Sequence, residues 1–241
     1  MILQFDPDDP DAEGNEIGQA AQAGQPAIDA AMGRRGQAVA DGLSRAGGVD
    51  DLERILRGSE DDDLREALEI LLRESAGRGV RVTAEKLAQV AVGVNWQLAN
   101  EAARAWAQTY SYELVSLLND NSRRMLQDAV SQWIESGAAL DALIEEIGRV
   151  FGPVRGEMIA VTEATRAYAE GSFTAYEQAG FNRRPPVEDR PPAHVRCRCW
   201  VSLLEADPGI WEYVWLTAQD ELVCPICAPK NMTSIGFAGR R

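Results

Sequence analysis

All four cysteines of the chain fall in two pairs, Cys197-Arg198-Cys199 and Cys224-Pro225-Ile226-Cys227, and its single histidine, His194, stands three residues before the first pair. On a strand, positions two apart point to the same side, and a C-x-x-C turn aims both sulfurs at one point. Brought together, the pairs can close a tetrahedral site of soft ligands, for which one structural zinc is the natural occupant. Free thiols and late-formed disulfides are the competing readings, and four cysteines allow three pairings that sequence does not rank. His194 reads as a capping residue beside Pro191-Pro192, as a ligand replacing one cysteine, or as a general base. A site closed by protein ligands has no open position for substrate, so the cluster argues for scaffold rather than catalysis.

Other chemistry is sparse. Glu163 and Arg166, three apart on one helix face, form a surface ion pair by spacing. The chain carries no phosphate-binding glycine loop, no H-E-x-x-H and no G-x-S-x-G. A metal-assisted hydrolase built on His194 and Asp220 lacks a marked nucleophile, and no enzyme activity is expected.

The elements that must hold this cluster read as mainly α, an elongated helical body with a small C-terminal α+β module. Residues 1–48 are rich in Asp, Gly, Ala and Gln with few large apolar side chains, the composition of an acidic arm that is flexible or orders on a partner. Within it short helices are expected over 17–31 and 36–45, with Gly47-Gly48 as the break. Residues 49–181 form a helical domain, with Gly77 to Gly79 as a stop. Thr83 then caps a helix of about 35 residues, roughly 50 Å long, whose stripe runs Leu87, Val90, Val94, Leu98, Ala102, Trp106, Tyr110, Leu114 and Leu117. Asn119 to Ser122 punctuates, and helices follow from Met125 to the Gly137 stop, from Leu140 to Phe151, and from Val154 to the Gly180 stop. Past Gly180 the prolines at 185, 186, 191 and 192 disfavour helix, and β-like runs at 199–203 and 211–217 mark residues 182–241 as a separate Cys/His module.

The 241 residues carry 38 acids and 24 bases, a net charge of −14. Up to Asp63 there are 15 acids and 5 bases, so the acidic character is mostly N-terminal. A field of this sign repels phosphate backbones. Arg183, Arg184, Arg190, Arg196 and Arg198 nevertheless form a local basic cluster beside the cysteines. No apolar run is long enough for a membrane span, and the acidic N-terminus lacks the pattern of a secretory signal.

Three segments together are similar to the Mu F-like minor head proteins of tailed bacteriophages, the head-morphogenesis family. They are Phe151-Gly152-Pro153 through Val161-Thr162-Glu163, Arg166, Tyr168, Gly171 and Tyr176 to Gly180; Trp215-Leu216-Thr217-Ala218-Gln219-Asp220 leading to Cys224 and Cys227; and Pro191-Pro192-Ala193-His194 leading to Cys197-Arg198-Cys199. The likeness covers roughly residues 95 to 241. The family places the C-x-x-C segment before the C-x-C segment, and here the order is reversed. A cysteine site needs convergence in space rather than chain order, so the same folded module is expected. Separation of the pairs by more than about 10 Å would contradict that. The resemblance implies a structural protein of the capsid interior, made in the host cytoplasm and carried in the virion, in several copies. Its partners would be the portal or major capsid protein, with no membrane. The alternative is a zinc-containing nucleic-acid-binding module acting on packaged DNA through Arg183, Arg184 and Arg190.

Overall fold

The computed structural model describes residues 12–46, 62–218 and 223–239. The expected break at Gly47-Gly48 and the candidate Asp220 lie outside them. Helix α1 spans Ala12–Ala46, α2 Asp62–Gln89, α3 Trp96–Ser136, α4 Leu140–Val150 and α5 Pro153–Gln178. Strands β1 (Trp200–Asp207), β2 (Ile210–Leu216) and β3 (Thr233–Phe237) follow. The mainly helical fold with a small C-terminal sheet is as the sequence indicates. None of the described helices is long and apolar enough to cross a membrane.

The expected arm is instead a core helix over its described residues. α1 is continuous, and Ile17, Ile28, Met32, Val39 and Leu43 are buried in the same cluster as Leu68 and Leu72 of α2. Its composition misleads because the missing bulk is replaced by close approach. A Cβ at Gly24 would come 2.7 Å from the Leu71 side chain, and one at Gly36 would come 2.9 Å from Phe151. Its acids are also engaged at home: Glu16 bridges Arg78 (2.6 Å) and Arg81 (2.9 Å) of α2, Glu13 pairs with Lys86, and Asp63 of α2 pairs with Arg34 (2.7 Å). Burial pulls the Lys86 ammonium down to about 8. Residues early in α1 thus meet residues late in α2, so the two helices run antiparallel.

For Glu16, burial alone would raise the carboxyl pKa, but the two guanidinium hydrogen bonds outweigh it and hold the group below its ordinary value. A depressed folded-state pKa contributes stability above the unfolded value of about 4.3 and loses it as pH falls through the folded one. Glu16→Gln is therefore expected to lower the urea midpoint at neutral pH, by about 1 kcal/mol or less for a partly exposed pair. Wild type and variant should converge below the carboxylate range; a gap that persists in acid would assign the effect to packing.

Two further sequence readings are corrected in α2 and α3. Gly77 to Gly79 does not stop α2, and Thr83 is a buried residue inside it rather than a cap. The break falls at Ala91, with φ 57°, and α3 opens on Asn95, whose side chain accepts from the Leu98 N–H at 3.2 Å. The buried face of α3 consists of Ala99, Ala103 and Ala107 continuing to Leu114 and Val115, while Leu98 and Leu117 of the expected stripe are exposed. Asn119 to Ser122 lies within α3 because its polar side chains are taken up internally. Asn119 accepts from Arg35, and Ser122 Oγ accepts from Arg155 at 3.0 Å. Arg155 also donates to the Val150 carbonyl at 2.8 Å, tying α3 and α4 to α5. Gly137 ends α3 in the left-handed region with its N–H on the Trp133 carbonyl, as read from sequence, and α5 opens on Pro153, one residue before the expected start at Val154.

The strands form an antiparallel sheet in the order β1-β2-β3, with Trp200 opposite Leu216 and Trp215 opposite Thr233. The sheet shares its core with the helices. Val201, Leu203 and Tyr213 pack with Phe173 and Tyr176 of α5 and Leu87 of α2, so residues 182–239 are not an independently cored module. Around the far end of α5, the Phe181 ring meets Trp211 at 5.5 Å, and the Asn182 N–H donates to the Gly239 carbonyl at 3.1 Å.

Candidate metal centre

The sheet's register brings the two cysteine pairs together. Cys197 and Cys199 immediately precede β1, whose first residue pairs with the last of β2, and Cys224 and Cys227 lie in the connection that leaves β2 at that same end. α5 anchors the first pair: Thr165 Oγ1 donates to the Cys197 carbonyl, the Arg196 N–H donates to Thr162 Oγ1 at 2.9 Å, and the Arg196 guanidinium pairs with Glu157 at 2.8 Å. The buried Trp215 forms the floor, packed with Cys197, Cys199 and Cys227.

All five candidates, His194, Cys197, Cys199, Cys224 and Cys227, line one cavity of about 200 Å³. His194 Nε2 lies 2.8 Å from Cys224 Sγ and 3.1 Å from Cys227 Sγ, and the Cys197 and Cys227 sulfurs are 3.9 Å apart. The donor atoms of His194, Cys197 and Cys227 lie within 4.8 Å of one another. Tetrahedral zinc with bonds of about 2.3 Å to sulfur holds its sulfurs roughly 3.8 Å apart, so the Cys197–Cys227 pair already stands at ligand separation. The donor chemistry, thiol and imidazole, is that of a structural zinc. His194, Cys197 and Cys227 thus form a candidate metal-binding triad consistent with a structural zinc. Cys224 lies against His194, and Cys199 is hydrogen-bonded to Cys197 and Cys227, so both remaining thiols adjoin the triad.

The electrostatics separate the thiols. A hydrogen bond from Cys199 lowers the Cys197 thiol to about 5 against the opposing effect of burial, while giving that bond keeps Cys199 protonated well above the usual thiol range. Burial, reinforced by the Cys197 charge, pushes Cys227 up to about 12.

The sequence did not mark Thr162 and Thr165 as anchors of the cysteine loop, although both fall within the 151–180 stretch that carries the family likeness, Thr162 as one of its quoted residues. Glu163 turns the other way and is buried rather than on the surface. Its Oε2 accepts from Tyr110 Oη at 3.1 Å and from Arg166 Nε at 3.0 Å, and burial raises its pKa despite both bonds. The basic cluster is partly compensated: Arg184 pairs with Glu170 and Glu177, Arg190 Nε donates to the Pro185 carbonyl, and Arg183 is exposed.

No family model, curated protein or solved structure matches the chain. What the fold and site define is a mainly helical protein whose small C-terminal sheet ends in a zinc-type Cys/His cluster.

Proposed function

We propose that the chain is a non-catalytic binding protein in which a zinc staple shapes a nucleic-acid-contacting module. The observation that carries this reading is the convergence of His194 and both cysteine pairs on one cavity, with arginines on the loops that supply them. A zinc closed by four of these donors would leave no substrate position and would fix the pose of Arg196, Arg198 and, through the chain before His194, Arg190 and Arg183. Because Arg184 and Arg196 are paired with carboxylates, few phosphates would be neutralised.

The test is the affinity of the zinc-loaded full chain for single-stranded and duplex DNA across a salt series. About two phosphate contacts, from Arg183 and Arg190, predict a shallow slope of roughly −1.4 in log K against log salt for single strands, reduced in Arg183→Gln. Absence of binding near physiological salt would reject the reading.

A second reading rests on the sequence likeness to Mu F-like minor head proteins, and the meeting of the cysteine segments in one site despite their reversed order is compatible with it. On this reading the helical body assembles with portal or major capsid subunits inside the virion and aids head assembly or genome delivery. Co-purification with assembling phage heads would support it, and a protein excluded from particles would reject it.

A further inference from the structure

A second cavity of about 250 Å³ lies between α3, α5 and the proline segment after α5, lined by Trp106, Tyr110, Phe173, Arg166, Arg190 and Pro192 among others. We infer that it is a nucleotide pocket, which takes a base against the rings and its phosphate on the arginines. The inference deepens the nucleic-acid reading and rests on it for the class of ligand.

The walls are aromatic and fixed. Trp106 and Tyr110, one turn apart on α3, stack at 5.0 Å with their planes 13° apart. The buried Glu163 carboxylate holds the Tyr110 hydroxyl and Arg166 Nε at once, which sets the ring and the guanidinium in one pose, with the cation 5.8 Å from the Tyr110 centroid. On the opposite wall Arg190 lies 5.3 Å from the Phe173 centroid. Its Nε is taken by the Pro185 carbonyl, and among the described residues its guanidinium has no carboxylate within ion-pair distance. Of the acids, Glu170 lines the cavity itself and is paired with Arg184, as is Glu177, while Glu163 is paired with Arg166.

Aromatic faces beside guanidinium groups are what proteins use to take up unstacked bases with their phosphates, because every base offers a π-face and every nucleotide an anion. The volume, a little below the range of drug-sized sites at about 300–1,000 Å³, limits the occupant to at most one nucleotide unit, part of which would remain in solvent. A pocket whose rings and cations are already positioned spends little of its affinity on ordering them. The shared chemistry comes from two sources, a free nucleotide or a nucleotide within a single strand.

The test is calorimetric titration of the full chain with thymidine monophosphate, with an oligothymidylate about eight nucleotides long, a length within the range of single-strand sites, and with inorganic phosphate. Saturable binding of the nucleotide or the oligonucleotide, weakened about tenfold or more in Arg190→Gln and in Trp106→Leu, is expected from the worth of a stacked base. Thermal midpoints within a few degrees of wild type keep both variants interpretable, and if Trp106→Leu misfolds, the loss of thymidine monophosphate binding in Arg190→Gln, rather than of strand binding, decides. Tighter binding of the oligonucleotide than of the monophosphate would identify a strand as the source, and equal binding a free nucleotide. Oligonucleotide binding that both variants leave intact would overturn the pocket while sparing the module's DNA contact. Monophosphate binding that depends on Arg190, without strand binding, would uphold the pocket and reject that contact. Inorganic phosphate binding as tightly as the monophosphate, or no saturable binding of any probe, would overturn the inference.

Discussion

Gly171→Ala is expected to be the most destabilising single methyl that can be added to this protein. A Cβ at Gly171 of α5 would stand 2.0 Å from the Ala76 carbonyl oxygen of α2, and one at Gly79 of α2 would stand 2.1 Å from the Tyr168 carbonyl oxygen of α5. The two helices therefore touch backbone to backbone at reciprocal glycines, and neither contact has a flexible side chain that could move aside. The added methyl can be housed only by separating α2 from α5, which opens the cluster around Leu72, Ala76, Val80 and Ala164, Ala167, Tyr168. Overpacking of this kind costs about 1–3 kcal/mol where neighbours can adjust, and more where they are backbone. A loss of about 3 kcal/mol or more in urea unfolding is expected, and the same for Gly79→Ala. Gly77→Ala is the control. Nothing lies within 4 Å of its added Cβ, so helix propensity alone should stabilise α2 by up to about 1 kcal/mol. Equal midpoints for Gly171→Ala and wild type would refute the close crossing.

Removing the metal is expected to have the second largest effect, and a local one. A ligand bound a thousandfold above its Kd stabilises by about 4 kcal/mol, and all of that is lost on chelation. The loss should fall on the end of the sheet, where the connection from β2 to β3 is held by Cys224, Cys227 and the Trp215 floor. It should spare α1 to α5, whose core lies elsewhere. Chelation, or Cys227→Ser, should therefore abolish the near-ultraviolet signature of the buried Trp215, while that of Trp200, which packs in the helical core, and the helical far-ultraviolet signal persist. Zinc analysis of the same samples should fall from about one ion per chain, the stoichiometry of a four-ligand site, to none. A variant that keeps its zinc and its tryptophan signature would remove Cys227 from the ligand set.

How much of this was legible depends on which signal each segment uses. α4, α5 and the first two strands carry large apolar residues at regular spacing, bounded by Gly137, Gly152-Pro153 and Gly180, and the sequence places them within a few residues. The cysteine cluster was legible as a donor set, and what remained hidden was the register that delivers it, a property of strand pairing rather than of spacing. α1 was misread because its burial is achieved with alanine and glycine against Leu71 and Phe151, and low hydrophobicity is the same signal that marks an unfolded arm. The glycines of α2 failed as stops for a related reason. Gly79 is selected by a neighbouring backbone, which no local pattern reveals. Asn119 and Ser122 looked like a turn because their partners, Arg35 and Arg155, are distant in sequence.

The hydrogen bond from Asn182 to Gly239 has a consequence for how the C-terminal unit can be wired. It places the end of the β3 segment beside the start of the proline segment, and the Ala238 N–H bonds the Trp211 carbonyl at 2.7 Å close to Phe181. The β1–β2 hairpin turns at Pro208-Gly209, where Gly209 sits at φ 79° with open space around it. Opening that turn, linking 239 to 182 and leading α5 directly into β2 would give a circular permutant with every strand pair and every thiol in its present place. In such a chain the C-x-x-C pair precedes the C-x-C pair. The two cyclic orders are alternative threadings of one spatial unit, and exchanging them asks only for short new joints at points the fold already brings together.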